Sequence, residues 1–188
     1  MSAPTDIPDL VASALDLSRQ RGFITSTRHE TGRLLAALAA SRDGTLAELG
    51  TGCGVGSAWL RSGMRPDARL LTAEHDAGLV EAVREIFAGD DAVTVFEGDW
   101  TALAERAPFS LLFLDVREAK QAGPDAVVDL VEPGGLVVLD DFTPSASWPP
   151  MYAGRVDTLR QLWLTDPRFA TVDVMVTTDA SVLVAARR

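Results

Sequence analysis

A chain of 188 residues, 47% hydrophobic and 23% charged, has enough apolar side chains for one domain that needs no disulfide or metal to hold its core. A formal charge of −10 argues against a nucleic-acid partner, because phosphate backbones require clustered Lys and Arg and the basic residues here are scattered. No apolar run reaches the roughly 18 residues of a membrane span, the first residues carry no secretory signal, and one cysteine, Cys53, cannot form an internal disulfide, so a cytoplasmic protein without a membrane partner is expected.

Two helices come first, over about Ile7–Gln20 and Arg28–Ala40. In the second, Leu34, Leu35 and Leu38 recur at helical spacing. From Thr45 onward, short apolar strands alternate with helical stretches. The expected strands are Thr45–Leu49, Arg69–Ala73, Ala92–Phe96, Leu111–Asp115 and Leu136–Leu139. The expected helices between them are Ser57–Ser62, Gly78–Phe87, Thr101–Arg106 and Pro124–Val131. The strands are nearly all apolar rather than alternating, which predicts burial on both faces. Such a succession gives a parallel sheet with helices on either side and right-handed crossovers. A helix near Val156–Leu164 follows the loop carrying Trp148-Pro149-Pro150. Then Thr171–Thr177 and Ser181–Ala186, joined by three residues, must pair antiparallel at the sheet edge.

The strongest local signal is Glu48-Leu49-Gly50-Thr51-Gly52-Cys53-Gly54-Val55-Gly56, at the end of the first strand and the start of a helix. Glycines serve where the backbone turns with positive φ or where a ligand touches the main chain, and ligands of such sheets bind beyond the carboxyl ends of the strands. A dinucleotide fingerprint needs glycines at positions one, three and six. Counting from Gly50 or Gly52, the sixth residue is Val55 or Ser57, and no lysine closes the loop as in a P-loop. Acids follow the next strands: Glu74 with His75, Asp99 with Trp100, then Asp115. Any one of Glu74 or Asp99 reads equally well as a helix N-cap. A glycine loop and three strand-end acids together are hard to obtain by accident.

This pattern resembles the class I S-adenosylmethionine-dependent methyltransferases. The resemblance implies a Rossmann-like, doubly wound α/β domain over 1–188, whose seven-stranded, mostly parallel sheet carries an antiparallel C-terminal hairpin strand. Residues 1–44 would cover the cleft and 45–188 form the core. It also implies that Glu48, Gly50, Thr51, Gly52 and Cys53 line the S-adenosylmethionine site, with Glu74 accepting from the ribose hydroxyls. His75, Asp99 and Trp100 would then lie at the adenine and Asp115 at the methionine end. More narrowly, Ile24-Thr25-Ser26-Thr27, Gly32-Arg33-Leu34-Leu35 and Leu139-Asp140-Asp141-Phe142 resemble the small bacterial O-methyltransferases related to catechol O-methyltransferase, over about Phe23–Arg187. There Thr25 and Ser26 would touch the cofactor, although both also suit the cap of the second helix.

In metal-dependent members of that family, acids at the positions of Asp115, Asp140 and Asp141 hold Mg²⁺, a hard ion that prefers oxygen ligands. Asp115 and Asp141 would then serve catalysis. The chain departs from the family three residues after Asp115, where the usual lysine is Glu118; the only lysine, Lys120, falls in the helix expected next. The resemblance therefore implies methyl transfer to a hydroxyl of a small, phenolic or natural-product-like acceptor, with or without Mg²⁺, in a possible homodimer. N-methylation, an RNA or protein acceptor, and a cofactor-binding module without turnover are the alternatives. Trp148-Pro149-Pro150-Met151-Tyr152 would either wall an apolar acceptor or pack as a rigid loop.

Overall fold

The computed structural model describes residues 6–23 and 26–188. Helices α1 (Asp9–Arg21) and α2 (His29–Ala39) lead into β1 (Thr45–Leu49), α3 (Val55–Gly63), β2 (Arg69–Glu74), α4 (Ala77–Ile86) and β3 (Val93–Glu97). A 3-10 helix at Trp100–Arg106 precedes β4 (Phe109–Leu114), α5 (Arg117–Ala122) and α6 (Pro124–Val127). A second 3-10 turn, Val128–Leu130, then opens β5 (Val131–Phe142). A two-residue ladder of β6 (Met151–Tyr152) and β7 (Arg155–Val156), helix α7 (Thr158–Thr165), and strands β8 (Phe169–Met175) and β9 (Ser181–Arg187) complete it.

Seven strands form one sheet in the order β3-β2-β1-β4-β5-β9-β8. All neighbours are parallel except β9, which runs against both β5 and β8. This is the expected mostly parallel α/β sheet. Successive side chains of a strand point to opposite faces, and here both faces are covered. Leu46, Leu111, Phe113 and Val138 meet Leu35 and Ala39 of α2 and Leu60 of α3. Leu49, Leu112, Leu114, Val137 and Leu139 meet Leu103, Ala119, Val127 and Trp163. Helix α1 adds Val11 and Ala14 to a third cluster with Trp59, Val80 and Val83. Among the described residues, no helix is long and apolar enough to cross a membrane.

Several boundaries differ from expectation. The stretch expected as a helix at Thr101–Arg106 is a 3-10 helix, and Pro124–Val131 breaks into α6 and a 3-10 turn. Strand β5 starts earlier and ends later than Leu136–Leu139, so Asp140 and Asp141 belong to the strand itself. Helix α5 was expected only as a helix holding Lys120, without bounds of its own. Its six residues bury only Ala119 and Lys120, too few for an apolar period to register.

Candidate active site

Parallel register sets the site. Leu49 pairs with Ala73 on one side and with Leu114 on the other, and Leu114 pairs with Leu139. The next row across the sheet is therefore Glu74, Gly50, Asp115, Asp140. A glutamate, a glycine and two aspartates from four neighbouring strands thus stand at one level. Gly50 has φ +95, and a Cβ there would lie 2.5 Å from Val116 Cγ2, so a side chain is barred both by the turn and by its neighbour. The Gly50 and Thr51 N–H groups donate to the Ala73 carbonyl, each at 3.1 Å, which fixes the loop over the end of β2.

Beyond that row lies a cavity of about 480 Å³ lined by Ser26, Gly50, Thr51, Gly52, Cys53, Glu74, His75, Asp99, Trp100, Asp115 and Asp141. Phe23, Thr27, Val116 and Glu118 also line it, and sequence reasoning did not assign these to the cofactor. Thr25 lies outside the described residues. Ser26 Oγ is 2.5 Å from Ser18 Oγ of α1, and α2 starts from Arg28 without any side-chain cap, so Ser26 does not cap that helix. Glu74 Oε2 accepts the Gly52 N–H at 2.9 Å, while Oε1 accepts the N–H groups of His75 and Asp76 at 2.9 and 3.0 Å. The cap of α4 is Asp76 rather than Glu74. Exposed His75 lies with Nδ1 3.1 Å from Glu74 Oε1. Asp99 lines the cavity and also caps the 3-10 helix, accepting from the Thr101 N–H and hydroxyl at 2.9 and 2.6 Å. Those two bonds hold its carboxyl below the usual range.

Two expectations shift. Glu48 does not line the cavity. It is buried beneath the loop, where its carboxylate accepts from the Ser57 hydroxyl and, at 2.7 Å, from Thr72, whose oxygen is 2.5 Å from Thr51 Oγ1. Burial pushes it up to about 7, against the pull of Ser57 and Thr72. Cys53 is buried too, and burial raises its thiol, which keeps it a protonated packing group. Trp148 and Tyr152 are exposed and absent from the cavity wall, so they neither wall this cavity nor pack on the core.

At the other end of the row, Asp115, Asp140 and Asp141 each offer an oxygen, and these atoms lie within 4.8 Å of one another. Adjacent residues of a regular strand point to opposite faces, which would separate the last two. The strand is not regular there. Leu139 pairs with Leu183 and Phe142 with Ser181, so Asp140 and Asp141 together face Val182 in a bulge, and Asp141 adopts φ +67. A bulge re-aims a side chain, and here it brings both carboxylates to one place. Buried Asp140 accepts from the Asp141 N–H at 2.8 Å and from Thr31 Oγ1 at 3.4 Å. Burial, and then the charge of Asp140, push Asp115 well above the usual carboxylate range. Burial also raises Asp140. Lys120 of α5 returns to this cluster, its Nζ 3.0 Å from Asp141 Oδ2 and 3.2 Å from the Asp140 carbonyl. The sequence signal for it was the uniqueness of this lysine; its distance of five residues from Asp115 concealed it.

A methyltransferase domain model matches residues 47–142. A Mycobacterium tuberculosis protein provisionally named as an O-methyltransferase is 35% identical over 120 residues, which is 57% of this chain and 52% of that protein. A similarly named Mycobacterium avium protein is 33% identical over 120 residues, 57% of this chain and 53% of its own length. The chain thus spans about half the length of the curated relatives it matches. In fold, it is similar to the O-methyltransferase TomG of Streptomyces achromogenes, solved with S-adenosylmethionine (21% identity, TM-score 0.76, covering 97% of this chain and 92% of that one). It is likewise similar to a Bacillus cereus O-methyltransferase solved with S-adenosylhomocysteine (18%, 0.73, covering 98% and 94%). The family model spans half of the chain, from Ala47 ahead of the glycine loop to Phe142 at the end of β5, and on that match the chain belongs to the methyltransferase domain family.

Proposed function

We propose that this chain is an S-adenosylmethionine-dependent methyltransferase that methylates a hydroxyl oxygen of a small, phenolic or natural-product-like acceptor. The observation that carries the reading is one continuous cavity over the strand ends, with Glu74 and Asp99 toward β3 and Asp115 and Asp141 toward β5. The residues present fit the cofactor. An ionised carboxylate has about four acceptor positions. Glu74 uses three on main-chain N–H groups and keeps capacity for a ribose hydroxyl. Trp100 and His75 offer rings beside Asp99, whose carboxylate takes the adenine amino group. Asp115 suits the cationic methionine end. The sulfonium supplies an electrophilic methyl group; the chain supplies position. Holding the acceptor oxygen in line with the methyl group is the largest service a site can offer such a reaction.

Asp141, whose side chain is 73% exposed, stands where β5 leaves the sheet and accepts a hydrogen bond from the acceptor hydroxyl. As the oxygen–carbon bond forms and the sulfur–carbon bond breaks, the hydroxyl proton passes to Asp141 and on to solvent. The three aspartates also fit Mg²⁺ in donor type and spacing. Asp115, Asp140 and Asp141 would hold it, and the ion would lower the pKa of the acceptor hydroxyl. Titration calorimetry with S-adenosylhomocysteine, followed by a labelled-methyl transfer screen over phenolic acceptors, tests the reading. Micromolar binding with transfer to oxygen is expected; no binding by a folded sample would overturn it.

A further inference from the structure

We infer that Lys120 is the resident counter-cation of the Asp115–Asp140–Asp141 cluster and competes there with any divalent metal ion. Every other basic side chain apart from the two histidines is an arginine. This one is a compact ammonium with three donors on a flexible stem, so it can meet more than one oxygen of the cluster at once. It is also buried beside the site. The Lys120 side chain is 9% exposed, and its Nζ reaches Asp141 Oδ2 at 3.0 Å and the Asp140 carbonyl at 3.2 Å. It arrives from α5, the first element after Asp115, so both the acids and their cation descend from the ends of β4 and β5.

Part of the cluster's acceptor capacity is therefore already engaged. Asp140 Oδ1 takes the Asp141 N–H and Thr31, and Asp141 Oδ2 takes the ammonium. A divalent ion bound to these aspartates would share the Asp141 carboxylate with a like charge beside it. The ammonium opposes the ion by like-charge repulsion, and relieving it means breaking the bond from Nζ to Asp141. The wild-type cluster is thus tuned toward its own cation, and removal of the ammonium should open it to metal. The inference deepens the proposed reading of this site and takes from it only the relevance of Asp141 to the acceptor.

The test is a calorimetric Mg²⁺ and Mn²⁺ titration of wild type, Lys120→Met and Lys120→Arg, with S-adenosylhomocysteine affinity measured on the same samples. Lys120→Met should bind metal at least tenfold more tightly than wild type, and its Tm should rise with Mg²⁺. Lys120→Arg, which keeps the charge, should bind as weakly as wild type. Equal or weaker metal affinity in Lys120→Met would overturn the inference, as would micromolar Mg²⁺ binding by wild type. A second measurement needs no variant. Because the chain has one lysine, ¹³C-lysine labelling gives a single side-chain resonance, which should move in step with metal occupancy. A resonance that stays fixed while metal binds would equally sink the proposal. Absence of S-adenosylhomocysteine binding, with the metal results as expected, would remove the methyltransferase reading and leave this one standing.

Discussion

Glu48 and Glu74 lie on the neighbouring parallel strands β1 and β2, yet only Glu74 reaches the cavity, and the two carboxyls should respond to different experiments. Glu74→Ala removes both the proposed ribose partner and the acceptor of the Gly52 N–H. S-adenosylhomocysteine affinity should fall by more than tenfold, about 1.4 kcal/mol, by calorimetry. Glu48 should instead report through stability. Unfolded, it loses its proton near the ordinary glutamate value of 4.5; folded, it keeps it to about 7. Between these values the folded state binds more protons, so a contribution fully present below 4.5 is lost as pH rises through about 7. The loss is on the order of 3 kcal/mol at roughly 1.4 per pKa unit. Denaturant unfolding of wild type and Glu48→Gln at pH 5 and pH 8 checks it: the variant should gain relative to wild type at the higher pH. At this scale the acids were legible because each follows an apolar strand. The separation of Glu48 from the others was not, since it depends on Ser57 and Thr72 closing over the carboxylate, and no local pattern announces that.

Elements arrange these residues through their irregularities. Strand β5 breaks register so that two acids face one way, and the post-β5 segment is then tied down by α7. Arg160 of that helix is fully buried, donates to the Thr143 carbonyl, lies 5.2 Å over the Phe142 ring, and pairs with Asp157 at 3.3 Å and Asp173 at 3.1 Å. Removing one partner of a buried ion pair leaves the other uncompensated, so Arg160→Met should cost about 3 kcal/mol in a denaturant unfolding curve. A smaller loss, under about 1 kcal/mol, would mean that the segment after Asp141 is held by other contacts. Bulge and anchor were both invisible beforehand. A bulge is a mismatch between two strands, and β5 and β9 are separated by some forty residues of chain, so neither strand alone carries the signal.

Across the whole molecule, the cavity gathers residues from Phe23 to Asp141 and has no existence in the unfolded chain. A ligand that fills it stabilises the native state by mass action. At a hundredfold excess over its dissociation constant, S-adenosylhomocysteine should add about 2.7 kcal/mol, seen as a rise in Tm; an unchanged Tm at that excess would mean that it does not bind the folded state selectively. The mostly parallel sheet with its reversed strand was legible at this scale because the alternation of apolar strands and helices constrains topology strongly. Glycine loop and strand-end acids then fell into one row by register alone. What stayed hidden was the charge balance at the β5 end of the row, where a lysine from α5 reaches the Asp141 carboxylate and the Asp140 carbonyl of the three-aspartate cluster.

The bulge has a consequence for how such a site is acquired or lost in descent. Removing the codon for Asp141 would leave Leu139 opposite Leu183, Asp140 opposite Val182 and Phe142 opposite Ser181, an unbroken ladder between β5 and β9. The second acid is thus one residue surplus to the sheet, with a left-handed backbone that the ladder itself never demands. A single in-frame deletion can erase half of the acidic pair while preserving strand pairing, and the reverse insertion can create it. Gain and loss of this chemistry are therefore separated by one mutational step from an intact scaffold.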